Sequence, residues 1–540
     1  MKKKLRIAII TEDTLLPAWQ HAFICQLDDS FLLETVLRIE ARRPQNAVDT
    51  ENKEPWFYRL FENLDKKLFK VKPDATQPIN CDHLFTDTIT CQFCRKEDVE
   101  IVKSKELDVI INLTNLALPE PLMGLSKYGI WYFIHADISK PFSKPIAFWE
   151  LATKRPEIGA VLCCMRKGNK NPIVLAKTFA CTDSLSLSRT KNAILWQSFP
   201  KAIKALRNLY LKGPEAFFGA VEQDQPDKVP TMEDLRTKFP GIRMVLKHLF
   251  SAGFKKIRQL IQSRFYFNQW ALLYKITPED KPELDMTKYN RIVPPADRFW
   301  ADPFLYKKNG KYYVFIEELI YKRKLGTLAV MEIDEKGNYT TPTTILSKPY
   351  HLSYPFIFEE DGVLFMIPET SANKDIQLYV CTDFPLKWEL VKVLMTNVEA
   401  VDTTIFKKDG LYWMFTNIRS HNGSSKHSEL FLFSSEELAS SQWKPHPNNP
   451  VVSDIKQSRP AGSLFNFNGS LVRPAQNCSH YYGYGINFCE VSTLNTQEYE
   501  QNVLITVDPL WDNDILACHT LNHLDKISVS DALIKRKRYF

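Results

Sequence analysis

No stretch of this 540-residue chain approaches the roughly 20 consecutive apolar residues that a membrane-spanning helix requires. The N-terminus, MKKKLRIAIITEDT, has only a short apolar run before acids intervene, so it reads as a β-strand and not as a secretory leader. Its eleven cysteines are scattered and odd in number. Without a leader, reduced thiols in the cytosol are expected, and a disulfide framework is not. Cys91-Gln-Phe-Cys94, with Cys81 and His83 upstream, offers zinc-type ligands, but a second CxxC is missing and no common zinc spacing is matched. Ordinary loop and core cysteines are the simpler reading, and no metal is assigned. A large excess of one charge is also lacking: a formal net charge of +7 is modest for this length and points to no nucleic-acid partner.

One absence is local. From Leu235 to Pro278 there is no acidic residue. Within that window Arg243, Lys247, Lys255, Lys256, Arg258 and Arg264 flank Ile242, Leu246, Leu249, Phe250, Ile257, Leu260 and Ile261. The spacing predicts a basic amphipathic helix over 242–265, with a break near Gly253. Two placements stay open: contact with an anionic membrane surface, or packing between two domains with the basic face in water.

What the chain does have is enough length for two or three domains. Residues 5–11, 107–113 and 129–135 read as buried strands, and helical patterns lie near 16–28 and 117–126. That alternation predicts an open α/β sheet over roughly 1–180. Ligands in such sheets sit beyond the carboxyl ends of the strands, where His135 ends its strand and Asp137 follows. Residues 185–220 read as helical, with Trp196, Phe199, Ile203, Leu206 and Leu209 on one face, and 221–233 as an acidic, proline-containing linker. The expected division is an α/β domain over 1–184, a helical connector over 185–268, and an all-β domain over 269–540.

The all-β domain repeats itself. Four stretches beginning at Asp302, Tyr354, Asp402 and Ala461 each place Asn-Gly or Asp-Gly at one offset: Asn309-Gly310, Asp361-Gly362, Asp409-Gly410 and Asn468-Gly469. Such pairs between apolar runs signal hairpins, because a type I′ turn needs φ > 0 twice. A period of about 50 residues predicts a propeller. Folding each hairpin about its turn sets Asp302 opposite Glu317, Tyr354 opposite Glu369, Asp402 opposite Asn417 and Ala461 opposite Gln476. If the hairpins are the inner halves of blades, these residues converge at one mouth. The segments 270–276 (WALLYKI) and His519-Thr-Leu-Asn-His523 are expected to form a fifth blade from both ends, which removes the open sheet edge.

The stretch ELDVIINLTNLALPEPLMGLSKYGIWYFIHADISKPFSKPIAFWELATKRPEIGAVLCCM resembles the methionyl-tRNA and amino-sugar formyltransferases. That resemblance implies an Asn-x-His pair and a distant Asp acting on a one-carbon folate such as 10-formyltetrahydrofolate. Only the histidine carries over, to His135; Phe133 stands at the asparagine position and Ile173 at the aspartate position, and Asp137 is the residue expected to replace an acid or base or to bind substrate.

Phe299-Trp300-Ala301-Asp302-Pro303-Phe304, His351-Leu-Ser-Tyr-Pro355, Ile367-Pro-Glu369, Val401-Asp402, Arg473-Pro-Ala-Gln-Asn477 and Tyr482-Gly-Tyr-Gly-Ile-Asn487 carry a second resemblance. They are similar to the five-bladed propellers of the arabinanase, levansucrase and invertase type. They are closer still to the N-terminal region of plant glucosamine inositolphosphorylceramide transferases. The resemblance implies a carbohydrate site with Asp302 as base or nucleophile, Asp402 as second carboxylate and Glu369 or Glu317 as acid. His351, Tyr354, Arg459, Gln476 and His519 would bind substrate at the same mouth. The expectation is a formyltransferase-like α/β domain joined through a helical linker to a five-bladed propeller, in a cytoplasmic protein placed free or at the inner membrane face. Its expected role is as a transferase of bacterial surface-glycan biosynthesis acting on an activated or lipid-linked sugar. N-formyl transfer, glycoside hydrolysis and non-catalytic glycan binding are the rivals.

Overall fold

The computed structural model describes residues 3–27, 31–39, 54–84, 88–91, 96–114, 120–140, 145–169, 171–223, 225–226, 229 and 239–538. The chain divides into two compact units: Met1–Gly253 with Asn422–Ser424, and Phe254–His421 with Ser425–Phe540. Where the sequence suggested a connector over 185–268, the division falls inside it.

The first unit is built on one seven-stranded sheet. In spatial order its strands are Thr88–Cys91, Phe31–Ile39, Leu5–Thr11, Val109–Asn112, Ile130–Ile134, Glu157–Met165 and Ile173–Cys181. The first five are parallel, and the last two each run antiparallel to the strand before them. Ile7 and Ile9 enter one apolar cluster while Ala8 and Ile10 enter another, so both faces are covered. That explains the unbroken apolar run, since a strand buried on both faces shows no alternation.

The helix Leu187–Lys212 packs Trp196, Phe199, Ile203, Leu206 and Leu209 into the same cluster as Ile7, Ile9 and Trp131. Ser186 caps it by accepting from the Arg189 N–H at 3.2 Å. The buried Asp65 carboxylate accepts from the Leu187 and Ser188 N–H groups at 3.2 and 2.7 Å, which suits the positive end of the helix. Cys94 and the side chain of Cys91 lie outside the described residues, so the zinc question falls there too.

The second unit is a five-bladed propeller. Blade one runs Arg298–Lys308, Lys311–Ile320, Gly326–Ile333, Thr343–Leu346; blade two runs Ser353–Glu360, Val363–Glu369, Asp375–Asp383, Lys387–Thr396. Blade three is Ala400–Lys408, Leu411–Ile418, Leu430–Ser435, Lys444–Pro445, and blade four is Phe465–Phe467, Ser470–Asn477, Gly485–Leu494, Tyr499–Val507. Blade five joins Leu521–Leu524 and Ile527–Lys537 to Tyr266–Ile276 and Asn290–Ile292, so strands from both ends of the unit close the ring as expected. The four hairpin turns adopt the expected geometry, with φ of 51° and 77° at Asn309-Gly310 and 50° and 76° at Asp361-Gly362. Asp409-Gly410 and Asn468-Gly469 repeat it at 52° and 76°, and 51° and 87°.

The register differs from the simple fold-back by one residue. Glu317 pairs with Ala301, Glu369 with Ser353 and Asn417 with Val401. In blade four the offset is two residues: Pro460 bridges Ala475, and the Gln476 N–H donates to the Arg459 carbonyl at 2.8 Å. The cause in blades one to three is a β-bulge that sets two residues against one, at Asp302-Pro303, Tyr354-Pro355 and Asp402-Thr403. The first residue of each bulge has positive φ: 50° at Asp302, 45° at Tyr354 and 51° at Asp402. Such a conformation is uncommon outside glycine and costs about 1–3 kcal/mol, so three in register around one axis mark the site where side chains are re-aimed.

A candidate active site at the propeller mouth

The three bulge side chains tie the blades together. The Asp302 carboxylate accepts from the Thr520 hydroxyl of blade five at 2.8 Å and from the Tyr354 N–H of blade two at 3.2 Å. The Tyr354 hydroxyl pairs with Thr404 of blade three at 2.9 Å and accepts from the Gly462 N–H at 2.8 Å. Asp402 accepts from Arg459 through Nε and, at 3.1 Å, Nη2, and from Gln476 Nε2 at 2.7 Å. Tyr354 and Gln476, expected to bind substrate, are fully buried and brace the ring instead.

Around Asp402 lies one electrostatic centre. Arg459 reaches Glu369 at 3.5 Å, receives the Tyr482 ring over its guanidinium at 4.7 Å, and donates to His427 Nδ1 at 2.9 Å. Burial and the Arg459 cation push the His427 imidazole down to about 3, which keeps it a neutral acceptor. Glu369 is raised well above the ordinary carboxylate range by burial and by the negative charge of Asp402. Glu369 is therefore the proton-bearing member of that pair, and it keeps 15% of its side chain exposed against 3% for Asp402. The acid is the group that faces the opening.

The second centre is Asp302, His519 and Asp531. His519 Nδ1 lies 2.7 Å from Asp531, its Nε2 lies 3.8 Å from Asp302, and Trp270 stacks on the imidazole at 4.1 Å. Burial lowers the His519 pKa, but Asp531 and then Asp302 outweigh it and carry it up to about 9. Burial pushes Asp302 up and the His519 cation pulls it back, leaving it at about 7. These three residues are the one group among the described residues with a metal-type ligand set. A protonated imidazole stands at its centre, so the set already carries its own cation.

His351 lies at the rim, 37% exposed at its side chain, with Nε2 3.1 Å from Glu317. Its Nδ1 accepts the Gly326 N–H at 3.0 Å, so the ring proton sits on Nε2 and faces Glu317. Asp302, Glu317, Glu369, Asp402, Arg459, Gln476, His351 and His519 thus come from all five blades or their connections.

Residues 278–524 match the family model described as glucosamine inositolphosphorylceramide transferase 1, N-terminal. The matched span covers blades one to four and part of blade five, whose strands Tyr266–Ile276 and Ile527–Lys537 lie outside it. Glucosamine inositolphosphorylceramide transferase 1 of Oryza sativa subsp. indica is 34% identical over 207 residues, 38% of this chain and 27% of its own length. The Arabidopsis thaliana protein of that name is 31% identical over 238 residues, 43% of this chain and 31% of its own. The chain thus spans less than a third of the relatives it matches. Among solved structures, a GH43 β-1,3-galactosidase with galactodeoxynojirimycin aligns at a TM-score of 0.31 and 12% identity, covering 43% of this chain and 90% of that one.

His135 and Asp137 belong to the first unit. His135 Nε2 pairs with the Ser198 hydroxyl at 3.1 Å, and Phe133 stacks on its ring at 5.9 Å. Asp137 is buried and accepts from the Ser139 N–H and hydroxyl at 3.0 and 2.6 Å, with Lys140 at 3.1 Å. That is the arrangement of a turn-capping aspartate.

Three members of the mouth escaped the sequence reading: Asp531, Thr520 and His427. Asp531 left one usable signal, as the lone acid in the run ISVSDALI. A carboxylate at the centre of such a strand needs a cationic partner. His427 sits among serines in a blade-three loop and gave no signal.

Proposed function

We propose that the propeller mouth binds a carbohydrate and transfers it from an activated or lipid-linked donor, in surface-glycan biosynthesis. The observation that carries this reading is the contrast between two carboxyl groups. Glu369 holds its proton beside Asp402, while Asp302, under His519, titrates near neutrality. Glycosyl chemistry needs that contrast, one carboxyl protonated and one able to take a proton. Glu369 gives its proton to the leaving-group oxygen as the bond to the sugar's anomeric carbon breaks. The acceptor hydroxyl forms the new bond at that carbon, and its proton passes to Asp302. Arg459 and His351 are the mouth's donors for sugar hydroxyls or a donor phosphate. The name of the matched relatives, a transferase acting with glucosamine and inositolphosphorylceramide, is consistent with this class.

For the first unit we infer a formyltransferase-like ancestry without formyl transfer. The reading is supported by His135, which follows the parallel strand Ile130–Ile134, and by the apolar Phe133, at the family's asparagine position in the sequence, which stacks on its ring.

The test pairs binding with turnover on the full-length protein. Wild type and Glu369→Gln are titrated with oligosaccharides and then offered nucleotide sugars and lipid-linked sugars. Transferase chemistry predicts that both bind and only wild type turns over. Release of sugar from simple aryl glycosides, abolished by Asp302→Asn, would favour a glycosidase. Binding without turnover of any donor would leave a glycan-binding scaffold.

A further inference from the structure

The acid-free window contains one helix, Ile242–Phe265, of 24 residues and about 36 Å, which continues through Gly253 where a break was expected. In its first turns Val245 and His248 are buried, the former in a cluster with Tyr58 and Phe61 and the latter edge-on to Phe61. Its remaining apolar side chains are left in water. Within the second unit Phe254 is 69% exposed, and Ile257, Leu260, Ile261 and Phe265 are each more than half exposed. At about 100° per residue these five fall on one stripe with Arg264 among them, bordered by Arg258 on one side and Lys256 on the other. An exposed stripe of this size marks an interaction surface.

A second cluster lies where the helix ends. The last strand of blade five pairs with the strand that follows the helix, setting Lys537 opposite Tyr266 and Arg536 opposite Phe267. The Arg538 N–H donates to the Phe265 carbonyl at 2.8 Å. The run Lys535–Arg538 is therefore fastened to the helix's C-terminal end, where cations also complement the helix dipole. With Arg258 and Gln262 of the helix it lines an open groove of about 1370 Å³.

We propose that the Phe254–Phe265 part of this helix and the Lys535–Arg538 run form a docking surface for an anionic lipid bilayer, independent of the chemistry assigned to the propeller mouth. The apolar stripe enters the headgroup–acyl boundary while the flanking cations and the groove take lipid phosphates. Charge decides the occupant. A second copy docked through the same face would bring like cations together, because a two-fold contact sets the same patch against itself. An anionic bilayer neutralises them. No helix among the described residues is long and apolar enough to cross a membrane. A helix lying in the interface plane needs no such length.

The test is flotation of the full-length protein with vesicles of phosphatidylcholine alone and of phosphatidylcholine with phosphatidylglycerol. Binding is expected to the anionic vesicles only and to weaken with salt. Phe254→Asp with Ile261→Asp, both exposed and so neutral to folding, should reduce affinity roughly a hundredfold. Arg258→Gln with Lys537→Gln should reduce it roughly thirtyfold. Circular dichroism verifies that each variant folds. No binding to anionic vesicles, or binding that neither pair weakens, would overturn the proposal. So would a dimer in sedimentation that Phe254→Asp dissociates while vesicle binding is nil.

Discussion

Asp531→Asn isolates what the second centre of the mouth contributes. The Asp531 carboxylate is fully buried and meets four donors: His519 Nδ1 at 2.7 Å, the His519 and Thr520 N–H groups at 3.0 and 3.1 Å, and the Asp302 N–H at 3.0 Å. The substitution keeps the shape, removes the charge, and turns one acceptor oxygen into an amide group that must face N–H donors. A rise of His519 from 6.5 to about 9 corresponds to roughly 3 kcal/mol at about 1.4 kcal/mol per pH unit. A buried donor left without its acceptor adds about 1–3 kcal/mol. Together the expected loss is about 4–6 kcal/mol, at or just above the usual cost of removing one partner of a buried ion pair. The folded His519 value lies above the unfolded one, so its stabilisation is complete below 6.5 and is lost as pH rises through about 9. The gap between wild type and variant should therefore be widest in mild acid and shrink at alkaline pH. Guanidinium unfolding followed by tryptophan fluorescence across a pH series measures it, and NMR titration reads His519 directly. A loss below about 1 kcal/mol, or a gap that does not change with pH, would refute the charged His519 at the centre of this triad.

Glu369→Gln should leave stability within about 1 kcal/mol, because the native group is already neutral, and cut turnover by about 10²–10⁴ in a transfer assay. Arg459→Met strands Asp402 without its cation and should cost about 3–5 kcal/mol in denaturant titration; Arg459→Lys should recover only part, because lysine lacks the fork that reaches Asp402 twice. Turnover should rise with pH through about 7 as Asp302 loses its proton, giving the acid limb of the rate profile, and Asp302→Asn should remove that limb. Gly362→Ala tests the hairpin turns: a Cβ there meets nothing within 4 Å, so any loss is backbone strain at φ 76°. About 1 kcal/mol is expected, a fall of roughly 2–4 °C in calorimetry.

The propeller was legible because its turns are. Asn309-Gly310 and its three counterparts declare positive φ in their chemistry, and the blade-five segments were found by asking what would close the ring. The register was legible only in part. A bulge at Asp302, Tyr354 or Asp402 places a non-glycine residue at positive φ; Pro303 and Pro355, each inside its strand, were a usable bulge signal, while Asp402-Thr403 carries none. The one-residue slip moved the partners of Glu317, Glu369 and Asn417, yet those residues still reached the mouth, because the slip lies in the first strand and leaves the second in place. Arg459 and His519 were named as binding groups, but their roles depend on Asp402 of another blade and on Asp531 of a facing strand of blade five, contacts that no local pattern encodes. In the first unit the strand around Ile9 and the buried face of the helix Leu187–Lys212 could be read from periodicity. The packing of that helix into the α/β core could not, since an apolar face does not name its partner.

The most direct test of the mouth as the seat of function is mass spectrometry of the cell's surface glycan with this protein present, absent, or replaced by Glu369→Gln. A whole-sugar difference on loss of the protein, reproduced by Glu369→Gln, is the predicted result. A one-carbon difference that Glu369→Gln leaves intact and His135→Ala abolishes would contradict it and return the chemistry to the first unit.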